Sequence, residues 1–407
     1  MKKRGIQAAA MAAAVTMAVS LFGCAAVPAA PQEAPAAETA EEAPAEAVEE
    51  TAAEEAAAEE TAEAEAPEAA EEAAAEAEAA ETEAAASGTR IFTDSVGREV
   101  ELDAEITRIA ATGPLAQIAL YAIAPDLMVG WTSDWSEASE KYIPEEYLNL
   151  PVLGQLYGGK GEMNLEEVLA ADPQVVIDFG QPKGSIAEDL DGLQEQTGIP
   201  FVHITASLQE TGDAYRKLGE LLGREEKGEE IAAYCEEICG KCLAAAEASE
   251  PAKLLFITGE NGLNVIARDS FHAEVVDLLS DNLAVVDEPS SKGTGNESDL
   301  EQIMNWNPEV IIFSPDSIYD TVGEDPAWQT IPAIADHRYY EVPAEPYNWM
   351  GFPPSVQRYL GMLWLAKTLY PDAADYDLKE EIVRYYDLFY HYELTDEEYD
   401  ALMEKAQ

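Results

Sequence analysis

Three of the four cysteines in this 407-residue chain have a spacing that could support redox or metal chemistry. Cys235, Cys239 and Cys242 form C-x3-C-x2-C, the spacing of a radical-SAM iron–sulfur motif. On a helix, however, these positions share one stripe with Ile231 and Ile238, which is the pattern of a buried face. A cluster motif needs a loop that wraps the metal, and the Cβ vectors along one helix diverge too far for a disulfide bond. We therefore predict that the three thiols pack in the core.

The four histidines, His203, His272, His337 and His391, are scattered along the sequence. A transition-metal site built from several imidazoles needs them to converge, so we predict no resident metal site. Carboxylates could still supply ligands, which keeps the binding of a bare metal ion open as an alternative. The sequence has no G-x-S-x-G elbow, P-loop or H-E-x-x-H motif, and it therefore predicts neither an enzyme nor a bound cofactor.

The first 88 residues do not have the composition of a folded domain. Residues 1–23 combine a basic start with an apolar segment, the pattern of a signal peptide, and Leu21-Phe22-Gly23-Cys24 resembles a bacterial lipobox. The resemblance implies cleavage before Cys24 and lipidation of that cysteine at the outer face of a membrane. An ordinary secretory signal is the alternative, and the apolar segment is short for a membrane span. Residues 24–88 hold 20 Glu and no basic residue, which predicts a disordered Ala/Glu-rich tether.

The remainder of the chain is strongly acidic. The whole chain has 81 acidic and 23 basic residues, and setting aside the tether with Lys2, Lys3 and Arg4 leaves 61 against 20, a net charge of −41, for residues 89–407. Such a surface argues against nucleic acid, whose phosphates need a basic face. It also disfavours direct binding to anionic lipid headgroups.

A fourteen-residue pattern occurs twice and organises the rest of the sequence. One copy runs from Asn164 to Ile177 and the other from Asp299 to Ile312. Each begins with a residue able to cap a helix, carries Glu167 or Gln302 at the capping-box position, and passes through a proline into a Val/Ile-rich run. The module predicted in each half is a short helix, a proline and a buried strand. Chance recurrence is the alternative, because capped helices before strands are common in α/β proteins.

Short strands and helices alternate around these modules, which predicts an α/β fold with mostly parallel sheets. The expected strands, after a hairpin in residues 90–102, are 106–111, 127–131, 201–204, 253–258, 263–267 and 339–342. The expected helices, apart from those of the modules, are 112–123, 211–222, 225–249, 271–279 and 356–369. We therefore expect an N-terminal lobe at residues 89–223, a linking helix at residues 224–250 and a C-terminal lobe at residues 251–407.

Several of these features together resemble one known family. They are the lipobox and tether, the opening segment from Asp94 to Val100, the paired modules, the single long helix, and Pro353-Pro354-Ser355 before the last expected helix. As a set they resemble the substrate-binding proteins of ABC importers, in the branch that binds iron–siderophore complexes, heme or cobalamin. The resemblance covers residues 90 to about 392. It implies two lobes, each with a central sheet flanked by helices, with one ligand in the cleft between them and modest closure.

The same resemblance implies a partner. In these proteins a glutamate of each lobe pairs with arginines of the permease, and the matching positions here are Glu166 and Glu301. The residues alone give a simpler reason for both, because a carboxylate in the first turn of a helix gains from the helix dipole. We expect a monomer that docks an ABC permease and is anchored to the membrane through Cys24.

Ligand contacts are expected in loops that follow strand carboxyl ends, where α/β sheets gather their binding groups. These contacts are Thr112, Trp131, Trp135, Tyr157, Gln181, Lys183, Arg268, Phe271, His272, Lys292, Tyr347, Trp349 and Arg358. Aromatic side chains in several loops suit a large flat or partly apolar ligand. Packing of Trp131 or Trp135 under its own loop is the alternative.

Arg358 breaks a local rule. We expect Ser355 to cap the last helix, which places Arg358 in its first turn. A cation there opposes the helix dipole, and such violations are typical of functional positions. We predict that Arg358 holds an anionic or carbonyl-rich part of the ligand, with an ion pair to a nearby acidic residue as the alternative.

The predicted function is capture of an iron complex, such as a siderophore or heme, or of a corrinoid, by an extracytoplasmic lipoprotein that delivers it to an ABC importer. A receptor for a bare metal ion or an oxyanion is the first alternative. A cell-surface scaffold or adhesion protein presented on the acidic tether is the second.

Overall fold

The structure, a computed structural model, describes residues 88–157 and 162–407. The predicted signal peptide, Cys24 and the tether as far as residue 87 lie outside the described residues. No helix within the described ranges is both long enough and apolar enough to cross a membrane. We call residues 89–223 the N-terminal region and residues 251–407 the C-terminal region.

The described chain begins with an antiparallel hairpin, as predicted, formed by β1 (Thr89–Thr93) and β2 (Glu99–Asp103). Asp94 shapes its turn, because its Oδ1 accepts hydrogen bonds from the backbone N–H groups of Val96 at 3.0 Å and Arg98 at 2.9 Å. Its Oδ2 accepts a bond from Arg98 Nη1 at 3.1 Å. The carboxylate therefore fixes the turn in the manner of an Asx motif.

Parallel strands build the sheet of the N-terminal region, with β4 (Val175–Gly180) between β3 (Ile109–Ala111) and β5 (Phe201–Thr205). These Val- and Ile-rich strands are almost wholly buried, as a sheet covered on both faces requires. The helices of the region are α1 (Pro114–Ile123), α2 (Glu137–Glu140), α3 (Glu145–Leu148), α4 (Leu165–Ala171), α5 (Ile186–Thr197) and α6 (Thr211–Leu222).

The strand expected at residues 127–131 is not a regular strand. The chain forms a 3-10 turn at Pro125–Leu127 and then makes only isolated bridges, Met128 to Ile109 and Trp131 to Val152. The turn includes Leu127, the first residue of the expected strand, and the following residues bridge two different segments instead of forming one ladder.

The long helix α7 (Glu225–Glu247) follows, close to the expected bounds. A Cβ added at Gly228 would lie 2.6 Å from the carbonyl oxygen of Tyr215, so glycine allows α6 and α7 to pack closely. Cys235, Cys239 and Cys242 are buried free thiols on this helix, which confirms the predicted core packing. Burial raises the pKa of Cys242 to about 12, as expected for a thiol among apolar neighbours.

The C-terminal region has a larger, mixed sheet in the order β11-β10-β6-β7-β9, with β8 also paired to β6. Strands β8, β6, β10 and β11 run parallel, whereas β7 and β9 are antiparallel additions. The strands are β6 (Lys253–Thr258), β7 (Asn264–Val265), β8 (Asp281–Asn282), β9 (Asn296–Glu297), β10 (Val310–Phe313) and β11 (Tyr339–Glu341). The helices up to β11 are α8 (Glu274–Leu279), α9 (Leu300–Trp306), α10 (Tyr319–Val322) and α11 (Pro332–Ala335).

The two modules fold alike. The Oδ1 atom of Asn164 accepts bonds from the N–H groups of Glu166 and Glu167, and that of Asp299 accepts one from Gln302 at 2.8 Å. The predicted capping is thus present at both sites. The reciprocal half of the predicted capping box, a bond from the Glu167 or Gln302 side chain to the backbone N–H of the capping residue, is formed in neither copy, and in the first copy the Asn164 N–H donates to the Leu153 carbonyl instead.

Both module helices also end alike. Asp172 and Asn307 have left-handed φ values of 49° and 51°, and a proline follows each. From the capping residue to that proline, the order of exposed, intermediate and buried positions is identical in the two copies.

The chain ends in helices that return to the N-terminal region. They are α12 (Arg358–Leu369), α13 (Leu378–Tyr385), a π-helical turn (Tyr386–Tyr390) and α14 (Asp396–Leu402). All of α12 except Lys367 and Thr368 is buried, as its apolar composition predicted. The π-helical turn packs against α1, and the next residue, His391, bonds through Nε2 to the carbonyl of Tyr121 at 3.2 Å.

The largest apolar core belongs to both regions. It contains Phe92 of the hairpin, side chains of α1, α7 and α12, and Ala406 near the C-terminus. Two smaller cores lie within one region each, around Val176 and Phe201 in the N-terminal sheet and around Ile311 and Phe313 in the C-terminal sheet.

Candidate ligand site

The carboxyl ends of the three N-terminal strands are tied together by a polar network. Thr112 Oγ1 donates to Asp178, whose other carboxylate oxygen lies 2.7 Å from His203 Nδ1. The second ring nitrogen of His203 lies 3.1 Å from Thr205 Oγ1, and the imidazole is fully buried. Thr112 was predicted as a ligand contact, but its hydroxyl is used inside this network. Asp178 and His203 were not predicted, because their pairing across neighbouring strands leaves no pattern in sequence.

Tyr157 and Lys183 come together at this edge of the sheet. The Lys183 Nζ atom lies 3.4 Å from the centre of the Tyr157 ring, an arrangement that favours a cation–π contact. The Tyr157 hydroxyl donates to Asp189 Oδ2 at 2.5 Å, and Ser185 Oγ donates to the same oxygen at 2.8 Å. These bonds hold the pKa of Asp189 below its usual range. The aromatic ring is therefore fixed, and it holds an ammonium group on its face.

Lys183 is the predicted contact best suited to an anion. Partial desolvation lowers its pKa, although Asp178 and Asp189 act in the opposite direction. Within the described ranges no carboxylate lies within 4.0 Å of its nitrogen. The neighbouring Gln181 is exposed at the same strand end, so its amide is available to a solute.

Trp131 and Trp135 pack beneath their own loop. Trp131 is 1% exposed, donates through Nε1 to the Tyr147 carbonyl at 2.7 Å and meets Trp135 edge-on at 4.9 Å between ring centres. Trp135 also contacts Tyr121 and the half-buried Tyr347, at 5.8 Å and 6.0 Å between ring centres. Neither indole presents an open face, so the packing alternative describes both.

In the C-terminal region, three predicted contacts gather around Phe352, which was not predicted. The His272 ring stacks on Phe352 at 4.9 Å, and its Nδ1 lies 2.8 Å from the Gly351 carbonyl oxygen. The half-buried Phe271 meets His272 edge-on. Burial lowers the pKa of His272, which favours its neutral form. Gly293 also lies against Phe352, where an added Cβ would come within 2.7 Å of the ring, and the residue before it, Lys292, is exposed.

The two groups border one contact between the regions. Ser355 Oγ donates to the Leu115 carbonyl at 3.0 Å. Leu115 lies against Gly180 at the end of β4, where an added Cβ would stand 3.2 Å from the leucine side chain. The segment that carries Phe352 therefore meets the strand ends that carry Lys183. Because Ser355 is used in this way, it does not cap α12, which begins at Arg358 itself.

Arg358 is not open to solvent. It is 5% exposed, and its guanidinium bonds to the Glu274 carboxylate and, through Nε, to the Ser355 carbonyl at 3.2 Å. Glu274 also accepts the Leu208 N–H at 2.9 Å. The structure thus gives the buried Arg358 a half-buried carboxylate partner, and an ion pair was the alternative considered for this residue.

Two other expected contacts lie away from this edge. Trp349 is fully buried and donates to the Glu345 carbonyl at 3.0 Å. Arg268 lies near the amino end of β6, because β7 runs antiparallel to β6 and carries the chain back. There it bonds to Asp281, which pairs in register with Lys253 at the start of β6. It lines a separate surface concavity of about 490 Å³ with Pro251, Asp269, Asp277, Ser280 and Asp281.

Glu166 and Glu301 are both exposed in the first turns of α4 and α9. Neither carboxylate has an ion-pair partner within the parts of the chain that the structure describes. A helix that leads into a parallel strand runs antiparallel to it, so each helix start lies toward the carboxyl ends of its sheet.

The sequence of this central part matches a known family. Residues 119–346, more than half of the chain, match the periplasmic binding proteins. The chain belongs to this family. It is a two-lobed solute-binding protein of the kind that serves ABC transporters, and its α/β fold with parallel sheets is the one predicted from sequence.

This periplasmic binding protein is similar in sequence to three ABC transporter or solute-binding proteins. A solved ABC transporter solute-binding protein from Sulfurospirillum deleyianum is 28% identical, with a TM-score of 0.70, over 77% of this chain and 99% of that one. The molybdate-binding protein MolA of Haemophilus influenzae is 24% identical over 340 residues, 75% of this chain and 92% of MolA. The ABC transporter substrate-binding lipoprotein YvrC of Bacillus subtilis is 22% identical over 286 residues, 69% of this chain and 85% of YvrC.

Proposed function

We propose that this binding protein captures an anionic metal complex, of the iron-chelate class, and delivers it to an ABC importer. One observation carries the proposal. On one side of the contact between Leu115 and Ser355 the Lys183 ammonium lies on the Tyr157 ring, and on the other the exposed Lys292 precedes Gly293, which lies against Phe352. Residues 89–407 carry a net charge of −41, and against this background the ammonium groups suit an anionic ligand, while the rings suit its apolar parts.

Trp131, Trp135 and Trp349 are buried, and this favours siderophore complexes over heme or a corrinoid as the ligand. A heme or corrinoid needs a broad flat apolar surface, and these three indoles do not supply it. A compact chelate with carboxylate or phenolate oxygens needs less aromatic area and gains more from the two lysines. Siderophore complexes therefore fit the site better than macrocycles.

An oxyanion is the second candidate. The similar protein MolA is named as molybdate-binding, and two lysines with few open aromatic rings are also compatible with a small tetrahedral anion. A bare metal cation is less favoured, because the described residues contain no group of three or more His, Cys, Asp or Glu side chains placed to hold one.

The proposed setting is the outer face of a membrane. Lipidation of Cys24 and the acidic tether would hold the monomeric binding protein there, and the similarity to the lipoprotein YvrC supports this arrangement. Glu166 and Glu301, exposed and without basic partners among the described residues, are proposed to dock the permease. The two regions at residues 89–223 and 251–407, joined by the helix at 224–250, are proposed to act as the two lobes that hold the solute.

Titration calorimetry with defined probes tests the ligand class. The probes are a ferric catecholate, a ferric hydroxamate, hemin, cobinamide and molybdate, each added to the protein purified without ligand. We expect a ferric chelate to bind most tightly. Lys183→Ala should weaken that binding by about 1.5–3 kcal/mol, the usual loss for a hydrogen bond to a charged group.

Lys217→Ala is the matched control. Lys217 also lies over an aromatic ring, but that ring belongs to Phe92 of the hairpin, outside the proposed ligand site. Its affinity should equal that of the unaltered protein. Tightest binding of molybdate would move the assignment to the oxyanion class. Equal affinity of the Lys183→Ala and Lys217→Ala variants would remove Lys183 from the site.

A further inference from the structure

The two modules share a feature that their capping and strand patterns do not require. Leu169 and Met304 occupy the same position of the repeated pattern, the sixth residue from the capping side chain. Both are exposed, at 48% and 43%. The apolar positions that a short helix needs for packing are met by other residues, since Val168 and Ile303 are the buried ones.

Exposed apolar side chains of this size are few in the described chain. The large hydrophobic residues exposed there are Ile91, Val152, Leu169, Val285 and Met304. Single exposed apolar residues are ordinary and need no explanation. Two of these five residues, however, occupy the same position of a repeated module, on helices with identical exposure patterns. This coincidence indicates a shared cause.

Each apolar side chain has a defined neighbour. Leu169 follows Glu166 by three residues, and Met304 follows Glu301 by three residues. Side chains three apart on a helix lie on the same face. Each module therefore displays an exposed carboxylate and an exposed apolar side chain together, and we call each such pair a docking pair.

The repetition constrains the partner. Two equivalent docking pairs, one in each region, suit a partner that presents two equivalent recesses. Each recess would place a basic side chain next to an apolar surface, because the carboxylates lack basic partners within the described residues. Apolar contacts next to an ion pair exclude water from it, and a few well-packed, desolvated side chains carry most of the energy of a protein interface.

We propose that Leu169 and Met304 insert into apolar recesses of the two halves of the permease, beside the basic residues that pair with Glu166 and Glu301. The inference rests on the proposed function and deepens it, because it adds an apolar element to a surface otherwise defined by charge. Methionine and leucine suit such recesses, since both side chains adapt to irregular apolar surfaces.

The test compares three double variants of the full-length protein. They are Leu169→Ser with Met304→Ser, Glu166→Lys with Glu301→Lys, and the control Ile91→Ser with Val285→Ser. Each is measured for affinity to its purified permease–ATPase complex in lipid nanodiscs, and for affinity to the ferric chelate that binds best. Because all the replaced side chains are already exposed, the variants should fold, which circular dichroism checks.

The Leu169/Met304 variant should lose at least roughly tenfold in permease affinity with chelate binding unchanged, as expected when interface side chains are truncated. The control should bind the permease like the unaltered protein. If the charge-reversed variant loses binding and the Leu169/Met304 variant does not, the apolar element is wrong while the proposed docking stands. If neither loses binding, both the docking role and this inference are wrong.

Discussion

At the scale of single residues, Glu274 and Arg358 form an ion pair that also binds the N-terminal region. Glu274 accepts bonds from Arg358 and from the Leu208 N–H, and the Tyr359 hydroxyl donates to the Leu208 carbonyl at 2.5 Å. The N–H and the carbonyl of Leu208, in the N-terminal region, are therefore both bonded to side chains of the C-terminal region. The position of Arg358 at the start of a helix is explained by this partner, because the carboxylate offsets the unfavourable helix dipole.

Replacing Arg358 with Ala should therefore act on stability. It leaves a half-buried carboxylate unpaired, and we expect a loss of about 2–4 kcal/mol in unfolding free energy, somewhat less than for a fully buried pair because Glu274 is partly exposed. Urea denaturation measures the loss, and calorimetry measures ligand affinity in the same sample. Adding Glu274→Met should restore part of the stability. Weakened ligand binding at unchanged stability would instead make Arg358 a ligand contact.

At the scale of elements, the two capped module helices allow a matched experiment. Asn164 caps α4 and Asp299 caps α9, each through a side-chain oxygen that accepts backbone N–H groups. Neither helix is longer than seven residues, so neither is stable without its cap and its buried contacts.

Asn164→Ala and Asp299→Ala should each lower the unfolding free energy by about 1 kcal/mol, the usual value for a lost N-cap. Asn305→Ala is the control, because this residue is exposed within α9 and alanine favours a helix. Denaturant midpoints of the three variants provide the comparison. A control as destabilised as the cap variants would show that helix packing, and not capping, is responsible.

Some elements could be predicted from the sequence alone, and others could not. Helix α6 and strand β6 have the predicted bounds, because their apolar patterns are long and end at clear signals such as Gly223 and Gly259. The network of Asp178 with His203 was missed, since strand neighbours that are distant in sequence leave no spacing rule. For Trp131 and Trp135 the sequence left ligand contact and packing as alternatives, because an aromatic residue in a loop has the same sequence pattern whether it faces solvent or lies beneath the loop.

At the scale of the molecule, one apolar core extends through both regions. It contains four tryptophans, Trp131, Trp135, Trp349 and Trp364, contributed by both halves of the chain. The helices α7 and α12 pack on each other within it. Regions that share a core in this way cannot separate without exposing it.

We therefore expect the folded part of the chain to unfold in one transition, although proteins of this size often unfold domain by domain. Far-UV circular dichroism reports all helices, whereas tryptophan fluorescence is dominated by the shared core. The two probes should give the same midpoint in guanidinium chloride. Separate midpoints would show that the regions unfold independently in spite of their shared core.

The shared core also constrains how the chain is made. The Trp364 indole donates to the carbonyl of Ala406 at 2.9 Å, and Met403 and Ala406 complete the same core to which Phe92 contributes from the first hairpin. A chain that is synthesised from its N-terminus cannot close this core until residues 403–406 have been made. Until then its apolar surface is open to chaperones and proteases, and we expect a chain that lacks residues 403–406 to keep part of this core exposed.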